Sequence, residues 1–229
     1  MEIYKEIIKL ENEVSSSQIM RIMQDVGGRH NKSTGLSKFV LAEKGLFWII
    51  LSSYIKLRRY PEPGEELEVI SWRGERKRNL LPRYFMVNDM DGNLVFKGSA
   101  LWAMLSKESH KMVCPAKYGF QPEWTITGQE CRLPAIIKPV KTDFSVDFVV
   151  PEEYIDTNKH MNNTNYFDMC ERCLKDELYG KRLKEAHIDY VSEAMLGDNI
   201  TLSWKNTENG LYIQGDNQKT VFRTKLIYM

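Results

Sequence analysis

The sequence predicts an α+β protein made of two copies of one plan, each a curved antiparallel β-sheet wrapped around a central α-helix. Three observations carry this. Runs rich in β-branched and aromatic residues, bounded by proline and glycine turns, recur through both halves of the 229-residue chain. Strong helical spacing occurs once in each half. Two segments, YIKLRRYPEPGEELEVISW and HIDYVSEAMLGDNITLSW, share one order: strand, glycine followed by an acid, then a strand closing on Ser-Trp. They set Gly64 opposite Gly197, Tyr60 opposite Glu193 and Trp72 near Trp204. A sheet with an apolar face and a helix with an apolar stripe satisfy each other, so each half can bury a core of its own.

In chain order, Ser15, Ser16 and Ser17 offer a helix cap, and Ile19, Met20, Ile22, Met23 and Val26 then recur at helical spacing until Gly27-Gly28 stops the run. From Leu46 the stretch LFWIILSSYIKLRRY reads as strand and ends at a turn set by Pro61, Pro63 and Gly64. LEVISW and RYFMVN follow as strands, and DMDGN turns the chain into LVFKGSALWAML, a long half-buried antiparallel strand. Between Cys114 and about Val140 four prolines, Pro115, Pro122, Pro134 and Pro139, break every periodicity. This divides the chain into a first domain at 1–120, a linker at 121–142 and a second domain at 143–229. The second domain opens with the strand FSVDFVV. Its helix NYFDMCERCL presents Tyr166, Phe167, Cys170, Cys173 and Leu174 on one face, and AHIDYVSE, NITLSW, LYIQG and TVFRTKLIY complete it as strands.

Composition excludes several classes. Lysine plus arginine number 32 against 31 acids, a net charge of +1 that gives no general attraction to nucleic acid or an anionic membrane. Apolar stretches fall short of the roughly 20 residues a membrane span requires, so a soluble, cytoplasmic protein without membrane insertion is expected. The sequence has neither a G-x-S-x-G nucleophile elbow nor a phosphate-cradling glycine loop. Cys114, Cys131, Cys170 and Cys173 do not form two close pairs, so no metal site and no cofactor is expected. Cys170 and Cys173 lie inside the helix, where buried structural thiols are expected rather than a redox pair.

One stretch stands apart. IDTNKHMNNTNYF, Ile155 to Phe167, gathers Asp156, His160, Asn158, Asn162, Asn163 and Asn165 immediately before the second helix. Asparagine and threonine collect at helix starts for purely local reasons, and such a stretch can be a cap and nothing more. DTNKHMNN, however, fits D-x-N-x-H-x-N-N. With Tyr166, the later IDYVSEAMLGD and the earlier RYPEPGE, the chain resembles the acyl-acyl carrier protein thioesterases of bacteria and plant plastids over nearly its whole length. The resemblance implies two tandem hotdog domains. It implies hydrolysis of the thioester between a fatty acyl chain and the carrier's phosphopantetheine arm, which ends chain elongation. It also implies that Asp156, Asn158, His160 and Glu193 supply the catalytic groups. Plant members commonly carry cysteine directly after that glutamate; here Ala194 stands there, which favours a water-based mechanism.

Hydrolysis needs a positioned water, a base and stabilisation of negative charge on the carbonyl oxygen. Glu193 suits the base, His160 can hold the water or protonate the departing thiolate, Asn158 can polarise the carbonyl, and Asp156 can orient Asn158 or His160. Backbone N–H groups from Met161 to Asn163 could face the oxyanion. Direct attack by Asp156 through an anhydride stays open. The other histidines, His30, His110 and His187, lack such neighbours and are expected to be structural or surface residues.

By the same resemblance the acyl tail would lie against the first domain, where Trp48, Tyr54 and Met86 are candidates for its wall. The acidic carrier protein is the implied partner, with Lys181, Arg182 and Lys184 as the docking cluster. The other basic run, Arg73, Arg76, Lys77 and Arg78, reads as a solvated loop. A hotdog hydratase or dehydratase acting on 3-hydroxyacyl thioesters, or a non-catalytic acyl-binding module, are the competing functions. The chain can be a monomer or a homodimer, since two hotdog units already supply the pairing that single-unit relatives reach as dimers.

Overall fold

The computed structural model describes residues 3–12, 14–208 and 210–228. The chain divides into two compact units: Met1–Val14 with Arg21–Pro134, and Ser15–Met20 with Ala135–Met229.

In the first unit the elements are β1 (Ile3–Lys9), α1 (Ser16–Ser33, whose first turns group with the second unit), α2 (Lys38–Glu43), β2 (Leu46–Leu57), β3 (Glu66–Arg73), β4 (Leu81–Asp89), β5 (Leu94–Ser106) and the short β6 (Met112–Val113). The strands pair antiparallel in the order β1-β3-β4-β5-β2, with β6 on β5. Helix α1 does not stop at Gly27-Gly28 but continues to Ser33. Two interior glycines cost a helix about 1 kcal/mol each, yet the buried stripe Ile19, Met23, Val26 and His30 outweighs that cost. Packing does not demand glycine here: a Cβ on Gly27 would meet the Arg83 and Phe85 side chains at 3.4 and 3.5 Å, ordinary van der Waals contact. On the sheet side, a Cβ on Gly98 would collide with the Met23 sulfur, so the bare glycine leaves the space that the Met23 thioether fills against β5.

The second unit contains β7 (Phe144–Val149), α3 (Asn165–Cys173), α4 (Lys175–Leu178), β8 (Leu183–Tyr190), β9 (Asn199–Thr207), β10 (Gly210–Asn217) and β11 (Lys219–Tyr228). Its order, β7-β9-β10-β11-β8, is the order of the first unit element for element. The turn glycines match in detail. Gly64 has φ +81° and donates its N–H to Leu10 O at 2.8 Å; Gly197 has φ +78° and donates to Val150 O at 3.0 Å. Each glycine thus fastens the end of an edge strand, β1 or β7, to the turn that opens the next strand. Only glycine enters the left-handed region at no steric cost, which is why both copies keep it.

The tryptophans do not correspond. Trp204 pairs with Phe144, whereas the residue at that register in the first unit is Ser71, paired with Tyr4; Trp72 pairs with Ile3. A shift of one residue turns a strand side chain to the other face. Trp72 is accordingly buried against Tyr84, while Trp204 is half-buried and stacks on Phe144 at 5.6 Å.

Residues 119–143 form no helix or strand, yet they are bound down. Ser99 Oγ donates to Arg132 O at 2.6 Å, and the Arg132 guanidinium lies 4.2 Å over the Tyr54 ring, both within the first unit. Ile137 N–H donates to Asp189 Oδ2 at 2.5 Å within the second. Strand β1 and helices α2 and α4 carry no signal that the sequence reading used. β1 mixes charged and apolar residues at a sheet edge, and the two helices are short.

Candidate active site

Residues 151–164 join Val150 at the end of β7 to the start of α3, and every step of this loop is fixed by hydrogen bonds. A single helical turn at Glu152–Tyr154 begins it. The Tyr154 hydroxyl donates to Asp168 on α3 and accepts from Arg172 Nη1 at 3.2 Å, which clamps the turn to the helix. Burial, reinforced by the Asp168 contact, raises the Tyr154 phenol above its ordinary range and keeps it a donor. The Tyr154 carbonyl accepts from Asn162 N at 2.9 Å and from Asn165 Nδ2 at 3.0 Å. Two of the four asparagines are therefore structural. Asn162 Oδ1 also takes Thr164 N at 3.0 Å and Thr164 Oγ1 at 2.9 Å ahead of α3.

Between these anchors the chain folds back on Asp156. Its Oδ1 accepts from Asn158 N at 2.7 Å and from His160 N at 3.4 Å; its Oδ2 accepts from Asn158 Nδ2 at 3.2 Å. Its own N–H donates to His160 O at 2.8 Å, and Lys159 adopts the left-handed region at φ +66° to close the turn. Asp156 holds both the amide of Asn158 and the backbone that carries His160.

Glu193 arrives from the turn between β8 and β9. Met161 N–H donates to Ala194 O at 2.8 Å, which joins the two loops by backbone, and Met195 N–H donates to Asp198 Oδ2 at 2.9 Å within the turn. His160 Nε2 then stands 3.4 Å from Glu193 Oε2, with side-chain exposures of 34% and 61%. The separation is loose for a hydrogen bond and the pair is open to solvent, an arrangement a catalytic acid–base pair can tighten on substrate binding.

All four residues read from the motif thus meet in the second unit. Of the three N–H groups considered for an oxyanion, those of Met161 and Asn162 are already engaged by Ala194 O and Tyr154 O. The Asn163 N–H has no acceptor among the described residues, while the Asn163 carbonyl is held by the Tyr190 hydroxyl at 3.1 Å. The second hydrogen on Asn158 Nδ2 is likewise available, since the amide carries two.

The other candidates are dispersed. Lys181 and Arg182 lie exposed between α4 and β8, and Lys184 is an exposed residue at the start of β8. Trp48 packs against Leu36, Leu41 and Met104, with its Nε1 donating to Leu36 O at 2.9 Å. Met86 packs instead with Ile70, Trp72 and Tyr84, and Tyr54 lies beneath Arg132. A bulge between Ile50 and Ser52 reverses the alternation along β2, so Trp48 and Tyr54 do not share a face. Arg73, read as part of a solvated loop, is buried and bonded to Asn31 Oδ1 at 3.0 Å and to Thr34 Oγ1; Arg76, Lys77 and Arg78 are exposed. Burial raises the thiols of Cys170 and Cys173, the reverse of a reactive pair. Sequence reasoning missed the Tyr154–Asp168–Arg172 clamp, because its three members are joined only by the fold.

Comparison with known proteins places the chain in a family. The model of the acyl-ACP thioesterase N-terminal domain matches residues 1–117, and that of the C-terminal domain matches residues 137–225. The chain belongs to the acyl-ACP thioesterase family, and its two units are hotdog domains. It is 22% identical over 216 residues to a chloroplastic dodecanoyl-[acyl-carrier-protein] hydrolase of Cinnamomum camphora, covering 84% of this chain and 56% of that protein. It is also 22% identical over 189 residues to an acyl-[acyl-carrier-protein] hydrolase of Cuphea viscosissima, covering 75% and 45%. The chain therefore spans about half the length of these curated relatives. An acyl-ACP thioesterase from Bacteroides thetaiotaomicron shares the fold with a TM-score of 0.81 at 22% identity, covering 100% of this chain and 98% of that one. Among the described residues no helix is long and apolar enough to cross a membrane.

Proposed function

We propose that this chain hydrolyses fatty acyl thioesters carried on acyl carrier protein, by a water-based mechanism centred on Glu193 and His160. The observation that carries the reading is the 3.4 Å approach of His160 Nε2 to Glu193 Oε2 beside an amide, Asn158, held by a carboxylate. Glu193, solvent-facing and free of hydrogen-bonded backbone donors among the described residues, takes the proton of the attacking water. As the water oxygen bonds to the carbonyl carbon, charge develops on the former carbonyl oxygen, and the Asn163 N–H and the second Asn158 Nδ2 hydrogen are donors for it. Collapse breaks the C–S bond, and the proton is returned to the departing thiolate through His160. Asp156 orients rather than attacks: both of its oxygens accept from Asn158, and turning one onto a carbonyl carbon would break the bonds that shape the loop. Ala194, buried beside Glu193, leaves no thiol at the position where plant relatives commonly have one.

The exposed cluster Lys181, Arg182 and Lys184 would meet the acidic carrier, an encounter that salt weakens. Trp48, Tyr54 and Met86 remain the proposed contacts of the acyl tail, acting as separate positions rather than one wall.

The test is thiol release from acyl-carrier proteins of graded chain length and the matching acyl-CoAs, with wild type beside Glu193→Gln and His160→Ala. Turnover on carrier substrates that collapses by about 10²- to 10⁴-fold in both variants supports the reading. Absence of release on every chain, with variants and wild type alike, overturns it.

A further inference from the structure

Asp156, Asn158 and His160 sit on a short hairpin whose two ends, Ile155 and Met161, bridge antiparallel. The bonds inside it give the hairpin its shape and leave its direction open. Downstream, Met161 N–H on Ala194 O and the Tyr190 hydroxyl on Asn163 O tie the chain to the Glu193 turn and to β8. Anchors on one side alone form a pivot, about which the tip carrying Asn158 and His160 swings furthest. The upstream end is held by Tyr154. Its carbonyl takes Asn162 N–H at 2.9 Å and Asn165 Nδ2 at 3.0 Å, which closes the base of the hairpin and joins it to the first residue of α3.

The Tyr154 side chain carries more than this closure requires. Burial alone would be satisfied by phenylalanine, because the residue is 4% exposed and its ring stacks on Phe148 of β7 at 5.7 Å. A buried hydroxyl costs stability unless it is bonded. Here both of its partners stand on α3, one turn apart on the same face: it donates to Asp168 and accepts from Arg172 Nη1 at 3.2 Å. The Arg172 guanidinium also lies 5.7 Å from the centroid of the Tyr154 ring and 6.0 Å from that of Phe148. Helix α3 is itself held by the core, with Asn165, Tyr166, Phe167, Met169 and Cys170 buried. The hydroxyl therefore refers the hairpin to a helix whose position the core sets.

From this geometry we propose that Tyr154 and Asp168 are positioning residues for catalysis, their hydrogen bond aiming the Asp156–His160 hairpin from α3 so that His160 faces Glu193. The proposal rests on the hydrolase reading for its kinetic part. An error of about 1 Å at a reacting group can cost a hundredfold in rate. Tyr154→Phe removes the hydroxyl and keeps the ring and its packing. Asp168→Leu removes the acceptor from the other side, and Asp168→Asn keeps an oxygen that can accept from the phenol.

The experiment measures kcat and KM on an acyl-carrier protein, well below each variant's unfolding temperature, for wild type, these three variants, His160→Ala, and Tyr154→Phe combined with His160→Ala. A crystal structure of Tyr154→Phe accompanies it. The expected result is a fall in kcat of about ten- to a hundredfold in Tyr154→Phe and Asp168→Leu, with KM within about twofold. Asp168→Asn should keep kcat within about threefold, and Tyr154→Phe should cost less in the His160→Ala background than in wild type. An unchanged kcat, a loss that Asp168→Asn shares in full with Asp168→Leu, or the same factor in the His160→Ala background overturns the proposal, because the bond would then not act through the hairpin. If wild type itself releases no thiol, the hydrolase reading fails separately. The crystal structure then decides the placement: His160 displaced from its 3.4 Å approach to Glu193 supports it, and the pair unmoved overturns it.

Discussion

The two units share one topology and differ most where a strand becomes a helix. In the first, residues 11–15 carry the chain from Leu10 to α1; in the second, residues 151–164 carry it from Val150 to α3. The longer connection is the loop that holds Asp156, Asn158 and His160, and the shorter connection of the first unit holds no counterpart of it. Of the first unit's two histidines, His110 is exposed and His30 lies in the last turn of α1, fully buried, with Nδ1 2.8 Å from Arg83 Nη1. Burial first, then the charges of Arg83 and Arg73, push the His30 imidazole down to about 3. A histidine that cannot take a proton near neutrality, and that solvent does not reach, is a core residue. His160, a third exposed beside a carboxylate, is placed for proton transfer. Histidine alone says nothing about function; the length of the preceding loop decides which one reaches solvent and substrate.

The largest test of this contrast is to truncate both. His160→Ala is expected to lower kcat/KM by about 10²- to 10⁴-fold while the unfolding midpoint in urea barely moves, since a partly exposed side chain is lost. His30→Ala should do the reverse. It opens a cavity and removes a partner of the buried Arg83, for a destabilisation of about 2–4 kcal/mol with kcat retained in the folded fraction. Loss of kcat in His30→Ala at temperatures well below unfolding would refute the division of roles.

Much of this was legible in the sequence, and the limits have physical causes. Alternation and turn chemistry are local, so nearly all of the strands and both principal helices could be read, and Gly64 and Gly197 registered the repeat because a left-handed turn demands glycine. The motif loop was legible because its chemistry lies within ten positions. What failed depends on distance in sequence. The tryptophans slipped by one register, which Ser-Trp similarity cannot reveal. The Tyr154 hydroxyl acts on Asp168 of α3, fourteen positions further along, and no spacing rule connects them.

A smaller effect follows from the buried imidazole. Because His30 has a folded-state value below that of the unfolded chain, near 6.5, its contribution to stability is complete above pH 6.5 and is lost as pH falls toward about 3. In that window the unfolded chain binds one proton more than the folded chain. Stability should therefore fall by up to about 1.4 kcal/mol per pH unit from this group. Urea titrations between pH 4 and 7 check it: His30→Gln should flatten the slope relative to wild type. Parallel slopes for wild type and His30→Gln would show that other groups govern the acid limb.

The smallest effect probes the repeat itself. Gly64 and Gly197 sit at φ +81° and +78° with open space around each Cβ position, so alanine meets only backbone strain and should cost about 1 kcal/mol at either site. The stability losses should agree within about 0.5 kcal/mol, because the two turns fasten equivalent edge strands, β1 and β7, in the same way. The catalytic consequences should diverge. The Gly197 turn carries Glu193, and a strained backbone there disturbs the contact with His160; the Gly64 turn carries Tyr60 at the equivalent place and serves only its own sheet. Gly197→Ala is thus expected to lower kcat several-fold and Gly64→Ala to leave it unchanged. Equal losses of kcat in the two would mean that strain at one turn is felt throughout the molecule, and that the duplicated turns had not separated into one for folding and one for chemistry.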